Sequence, residues 1–274
     1  MMGATPSAGC AKPPLHAAPS LLRHIMVPDP AAATLSGEAN RSFWISQPTA
    51  AGSFDQPAML VLMLHGWFDM DWDPAALDAG QDEMLHAHLT SFIEASGITP
   101  IAVFPVGSGK GETANSTIYA WNAPGNGLNQ KAGPKGQICA TPRSSGVQYP
   151  CFASCERLPA SAGCSEADSC NFASCLDDVG FLRLLLAHLL ATYCIDTQHV
   201  HVAGFSTGGV LAFELGATVP GIASIAAVEA GQMLGFGSAP RLPVHLLDVH
   251  GSDDATMPAN YSCGPKGPCG PGPS

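Results

Sequence analysis

One stretch restricts the fold more than any other: HVHVAGFSTGGVLAFEL, residues 199–215. An apolar run of strand character (199–205) enters Gly204-Phe205-Ser206-Thr207-Gly208, and a helical pattern follows over residues 207–218. A G-x-S-x-G sequence at a strand-to-helix turn lifts the serine hydroxyl clear of the sheet, and the flanking glycines allow the backbone to approach closely. The helix N-terminus then favours negative charge developing nearby. A chance Gly/Ser turn is the bland alternative. The strand before and the helix after decide for Ser206 as a nucleophile.

The rest of the chain repeats this alternation. Residues 58–64, 100–105, 223–228 and 243–249 are short, continuously apolar runs like 199–205. Such runs suit strands of a parallel sheet covered on both faces. Helical patterns lie at 75–95, 177–193 and 207–218, the second opened by Asp177 and Asp178, which suit a helix N-terminus. Strand–helix alternation predicts a single α/β domain over residues 1–274 with a doubly wound, mostly parallel sheet. A β-barrel fits poorly.

Residues 107–175 interrupt the pattern. The run is rich in Gly, Pro, Ser and Cys and has little periodicity, and so long a loop in a compact domain is usually functional or disordered. Six of the ten cysteines fall between Cys139 and Cys175, and the others are Cys10, Cys194, Cys263 and Cys269. Disulfides are the expected staple, which implies an oxidising compartment and an ordered insertion beside the sheet's active edge. Zinc is the rival. Cys151 and Cys155 have metal-like spacing, but no regular second pair follows. The tail, residues 262–274, is Gly/Pro-rich and is expected to be flexible.

Composition excludes some partners. Hydrophobic residues make up 46% and charged residues 12%, which marks a globular chain. The net charge of −11 opposes nucleic-acid binding, which needs clustered Lys and Arg. No apolar run is long enough for a membrane span. No Gly-rich phosphate loop follows a first strand and no clear His/acid metal set stands out, so no cofactor and no metal are expected. The start, MMGATPSAGCAKPP, lacks the basic and apolar regions of a signal peptide. Asn40, Asn115 and Asn260 stand in N-x-S/T triplets, which permit glycosylation on a secretory route and also arise by chance.

Two further segments belong with Ser206. The run 58–64 leads into His65-Gly66-Trp67, where this fold class places its oxyanion loop. The N–H groups of Trp67 and Thr207 would then hold a tetrahedral oxyanion, each worth roughly 3 kcal/mol of barrier. His65 reads as a core histidine that holds the loop. The run 243–249 leads into HGSDDATMP, and an acid at such a strand end can orient an imidazole. Asp254 is the candidate, in the serine-then-acid order of the fold.

At this point a resemblance becomes specific. SAGCAKP (7–13), LHGW (64–67), AWNAPG (120–125), CLDDVGFLRLLLAHL (175–189), YCIDTQHVHVAGFSTGG (193–209) and HGSDDATMP (250–258) resemble, in order, the secreted feruloyl esterases and polyhydroxybutyrate-depolymerase-like α/β hydrolases. The resemblance runs from Ser7 to Pro258. It implies Ser206 as nucleophile, Asp254 as acid, disulfides in the insertion and a bridge to the N-terminal cysteine, here Cys10. It implies an extracellular enzyme acting through an acyl-enzyme on feruloyl or other carbohydrate esters, with a short polyester as the alternative substrate. Members of this family carry the catalytic histidine beyond a further strand after the acid, and residues 255–274 contain none. The sequence therefore predicts a sheet without its final strand and His loop, with an exposed edge. It predicts an impaired esterase from a chain continuing past Ser274, with a non-catalytic ester- or carbohydrate-binding domain as the rival.

Overall fold

A computed structural model describes residues 4–11, 23–30, 39–46, 56–66, 68–70, 98, 100–112, 117–124, 176–232, 237–239, 243–254, 261–262 and 270–271. The helical pattern at 75–95, the cysteines of the insertion and most of the tail lie outside these residues.

Seven strands form the main sheet: β1 (Arg23–Pro28), β2 (Asn40–Ser46), β3 (Ala58–Leu64), β5 (Ile101–Pro105), β8 (Ile195–Phe205), β9 (Ile222–Val228) and β10 (His245–Val249). Their spatial order is β1-β2-β5-β3-β8-β9-β10. β2 pairs antiparallel with both neighbours, and every other pairing is parallel. Helices α1 (Asp178–Thr192) and α2 (Thr207–Thr218) flank the sheet. This is the α/β-hydrolase fold, doubly wound and mostly parallel as the sequence predicts. β4 (Phe68–Met70), β6 (Ser108–Glu112) and β7 (Thr117–Ala120) make a separate small sheet, so the predicted insertion opens with two strands. In the tail, β11 (Tyr261–Ser262) pairs with β12 (Gly270–Pro271).

Alternation within the central strands explains the core. Leu60, Leu62 and Leu64 of β3 and Val200 and Val202 of β8 are buried with Phe181, Leu182 and Leu185 of α1 and Val210, Leu211 and Leu215 of α2. Positions between them face the other side, where Met63 and Phe205 are both 38% exposed. β10 departs from the expectation of a strand buried on both faces. All five of its residues are exposed, Leu246 at 54% and Leu247 at 60%. The reason is position: among the described residues β10 pairs only with β9 and forms the edge of the sheet.

The N-terminal segment is sewn to the start of β8. Ser7 N–H donates to Ile195 O at 2.8 Å, and the Ser7 hydroxyl donates to Tyr193 O at 2.7 Å. Thr197 N–H donates to Thr5 O at 2.9 Å. Cys10 is disulfide-bonded to Cys194, the partner of the bridge implied for the N-terminal cysteine.

Candidate functional site

Strand order locates the site. From β3 the chain goes to β5 on one side, and β8 later takes the other side of β3. In open α/β sheets ligands bind outside the carboxyl ends of the strands at such a switch point. The two strand ends there carry His65-Gly66 and Ser206.

The turn at Ser206 is sharp. Its backbone has φ 51° and ψ −120°, left-handed for a residue with a side chain. The glycines make the turn possible. A Cβ on Gly204 would lie 2.2 Å from Gly208 O, and one on Gly208 would lie 2.3 Å from His65 O. The serine hydroxyl makes no capping bond to the helix it precedes. Thr207 is the first residue of α2 and is buried, and its N–H is among the first-turn donors that a helix leaves without an internal acceptor. Gly66 adjoins the same point, because a Cβ there would stand 3.2 Å from Ser206 Cβ. Trp67, the next residue, lies outside the described residues.

His65 is held from several directions. Gly107 N–H donates to its Nε2 at 2.8 Å, so the ring proton sits on Nδ1, which donates to Gly66 O at 2.6 Å. Trp121 donates its indole N–H to the His65 carbonyl at 2.8 Å, with ring centres 4.7 Å apart. Burial lowers the His65 pKa to about 4; the Gly66 bond opposes this and the Arg41 charge adds to it. A neutral imidazole with both nitrogens engaged fixes the loop, in line with its sequence reading as a core residue.

Behind the loop lies a buried ion pair that the sequence reading did not find. The Arg41 guanidinium bonds Asp178 Oδ1 in the first turn of α1, with both side chains almost fully buried. The same carboxylate accepts the Asn122 N–H, and the guanidinium lies 4.1 Å from the Phe181 ring centre. The AWN and DDVGF segments thus meet on one arginine of β2.

Asp254 follows β10, half-buried, its N–H donating to Gly251 O at 3.3 Å. Glu229, also missed from sequence, connects this loop to the Ser206 turn. It follows β9 with φ 49°, and its N–H donates to Val249 O at 2.7 Å. A Cβ on Gly251 would be 3.6 Å from Glu229 Oε1 and 4.0 Å from Asp254 Cβ. An acid directly after an apolar strand, Val228-Glu229, was the available signal. His250 pairs with Asp248 at 3.1 Å, within its own strand end.

Strand order and the Ser206 turn together define the class: an α/β-hydrolase fold with its serine elbow. No protein-family model matches the chain, and no curated protein matches it. Solved structures of similar shape include an esterase described as thermostable, 12% identical with a TM-score of 0.46, over 87% of this chain and 48% of its own. A ferulic acid esterase of Anaeromyces mucronatus, solved with ferulic acid, is 14% identical with a TM-score of 0.49, over 93% of this chain and 80% of its own. Another ferulic acid esterase is 16% identical with a TM-score of 0.42, over 76% of this chain and 59% of its own. The chain therefore spans about half the length of the first of these and under two thirds of the last.

Proposed function

We propose that this chain carries the active-site scaffold of a carboxylic ester hydrolase that works through Ser206. One observation carries the reading: Ser206 adopts φ 51° and ψ −120° between β8 and α2, with glycine backbone packed on both sides. A strained turn of this kind costs stability and persists where it positions a reacting group. In this reading Ser206 attacks the ester carbonyl and the N–H groups of Thr207 and Trp67 hold the oxyanion. Asp254 orients a histidine, and none follows Asp254 in residues 255–274. The motif resemblance favours feruloyl and related carbohydrate esters over hydroxybutyrate oligomers. The Cys10–Cys194 bridge supports an extracellular or other oxidising setting.

The test is twofold. Whatever aryl-ester turnover the chain shows should fall to background in Ser206→Ala, by less than in a complete triad, because triad losses are not additive and no histidine follows Asp254 in residues 255–274. A fluorophosphonate probe should label the wild-type chain and spare that variant. Turnover that survives in Ser206→Ala overturns the nucleophile assignment. Neither turnover nor labelling in the wild type, with saturable binding of a feruloyl sugar, replaces it with the ligand-binding reading. Feruloyl sugar esters assayed beside hydroxybutyrate oligomers decide the substrate.

A further inference from the structure

Five and seven residues before Ser206, β8 carries His201 and His199 on the same side of the strand. At roughly 3.3 Å per residue, His201 is about 16 Å upstream of the serine, toward the opposite end of the sheet. Neither ring belongs to the site above. Both lie on the part-exposed face, and their centres are 6.2 Å apart.

Each ring is anchored through Nδ1. His199 Nδ1 donates to Asp196 Oδ2 at 2.7 Å, and His201 Nδ1 bonds the Ser224 hydroxyl at 2.7 Å. Among the described residues, neither Nε2 has a hydrogen-bond partner. We propose that His199 and His201 form a two-imidazole site for a divalent transition-metal ion, bound through their Nε2 atoms, with water completing the shell.

The chemistry fits in three respects. A carboxylate that accepts from Nδ1–H fixes the tautomer with its lone pair on Nε2, the usual outer-shell arrangement of a metal-binding histidine. Metal–nitrogen bonds of roughly 2.0–2.1 Å place an ion about 3.2 Å from each ring centre, so two rings on one ion have centres at most roughly 6.4 Å apart. The observed 6.2 Å lies inside that limit. A tetrahedral angle needs roughly 5.2 Å, a closure of about 1 Å, and the His199 side chain is 58% exposed and has room to make it. Neutrality also helps, because burial and then the charge of His199 lower the His201 pKa. His245 is a rival imidazole, in register with Ser224 one strand further out.

Zinc ion alone, added to the whole chain and followed by histidine-ring NMR, tests the site. The His199 and His201 signals should shift together and saturate at one ion per chain. His199→Gln and His201→Gln should each weaken Zn²⁺ at least about 10-fold, because a side-chain amide replaces an imidazole ligand. Asp196→Asn should also weaken it about 10-fold or more. Its amide oxygen can keep the Thr5 and Gln198 N–H bonds now made to Oδ1, while its NH₂ donates to His199 Nδ1 and drives the proton to Nε2. His245→Ala should leave binding unchanged. Zn²⁺ binding that persists in the double variant His199→Gln/His201→Gln, or is lost only in His245→Ala, overturns the site. So does the absence of any shift at either ring at millimolar Zn²⁺.

Discussion

Ser206 and Glu229 stand side by side at the ends of neighbouring strands, and both turn there with positive φ, 51° and 49°. The residues before them, Phe205 and Val228, are register partners, and Ser206 N–H donates to Val228 O at 2.9 Å. No other described residue with a side chain has positive φ. Each such turn costs on the order of 1 kcal/mol or more, which glycine would relieve. Ser206→Gly should therefore be more stable than Ser206→Ala by roughly 1 kcal/mol. Urea midpoints of the two variants check this, and equal midpoints would refute a strained elbow.

The close approach under the elbow gives a second prediction. A Cβ on Gly208 would meet His65 O at 2.3 Å and Leu64 O at 2.5 Å, both backbone atoms of the β3 exit. Neither can move without disturbing the β3–β8 pairing. Gly208→Ala should cost about 3 kcal/mol or leave the chain unfolded. Gly231→Ala is the control, because nothing lies within 4 Å of its added Cβ. The packing account fails if the two variants denature alike.

The disulfide joins residues 184 apart in sequence. In the chain-entropy picture, closing a loop of that size stabilises the fold by up to about 5 kcal/mol. The Thr5 and Ser7 hydrogen bonds hold the same segment without covalent help, so the folded structure survives its removal locally. Cys10→Ser/Cys194→Ser should lower stability by about 2–5 kcal/mol and speed proteolysis before residue 12. An unchanged denaturant midpoint would show that the bridge is incidental.

Local patterning made the parallel core and the elbow legible in the sequence. β3 and β9 lie where apolar runs predict them, and α1 begins at the two aspartates. β8 begins earlier than its apolar run because Ile195 and Asp196 are already tied to the N-terminal segment, a contact across most of the chain. Arg41 reads as an ordinary polar residue of a short strand. Only the folded chain brings it to Asp178, so no local pattern could announce the pair. β10 reads as a buried strand because it is apolar, but burial depends on neighbours, and at the sheet edge it has one.

The Arg41–Asp178 pair itself predicts a non-additive result. Arg41→Met takes the guanidinium from two buried carboxylates, Asp178 at 2.5 Å and Asp29 at 3.8 Å, and should cost about 3–5 kcal/mol. Adding Asp178→Asn removes the nearer of these two charges, leaves Asp29, and keeps an oxygen for the Asn122 N–H, so the double variant should recover part of the loss. Urea denaturation of both variants measures the coupling. A double variant less stable than Arg41→Met would contradict the unpaired-charge account.

His65 predicts a pH window. Its pKa in the fold is about 4, against an ordinary value of 6.5, because a buried ring whose Nε2 accepts the Gly107 N–H resists a second proton. As pH falls from 6.5 the unfolded chain takes up this proton first, so stability drops. The loss runs from about pH 6.5 to about pH 4, levels off below that, and is absent above 6.5. Its full size is on the order of 3 kcal/mol. His201, also held low by burial and by the His199 charge, adds to the same window. Asp196 acts lower. Burial alone would raise its pKa, but bonds from Gln198, His199 and Thr5 outweigh that and hold it below its ordinary 3.8, so its contribution is lost only in stronger acid. Urea midpoints between pH 7 and 4.5 should fall steeply in the wild-type chain and less steeply in His65→Gln, which cannot take up the proton. Equal slopes in the two proteins would show that His65 is not the group that titrates.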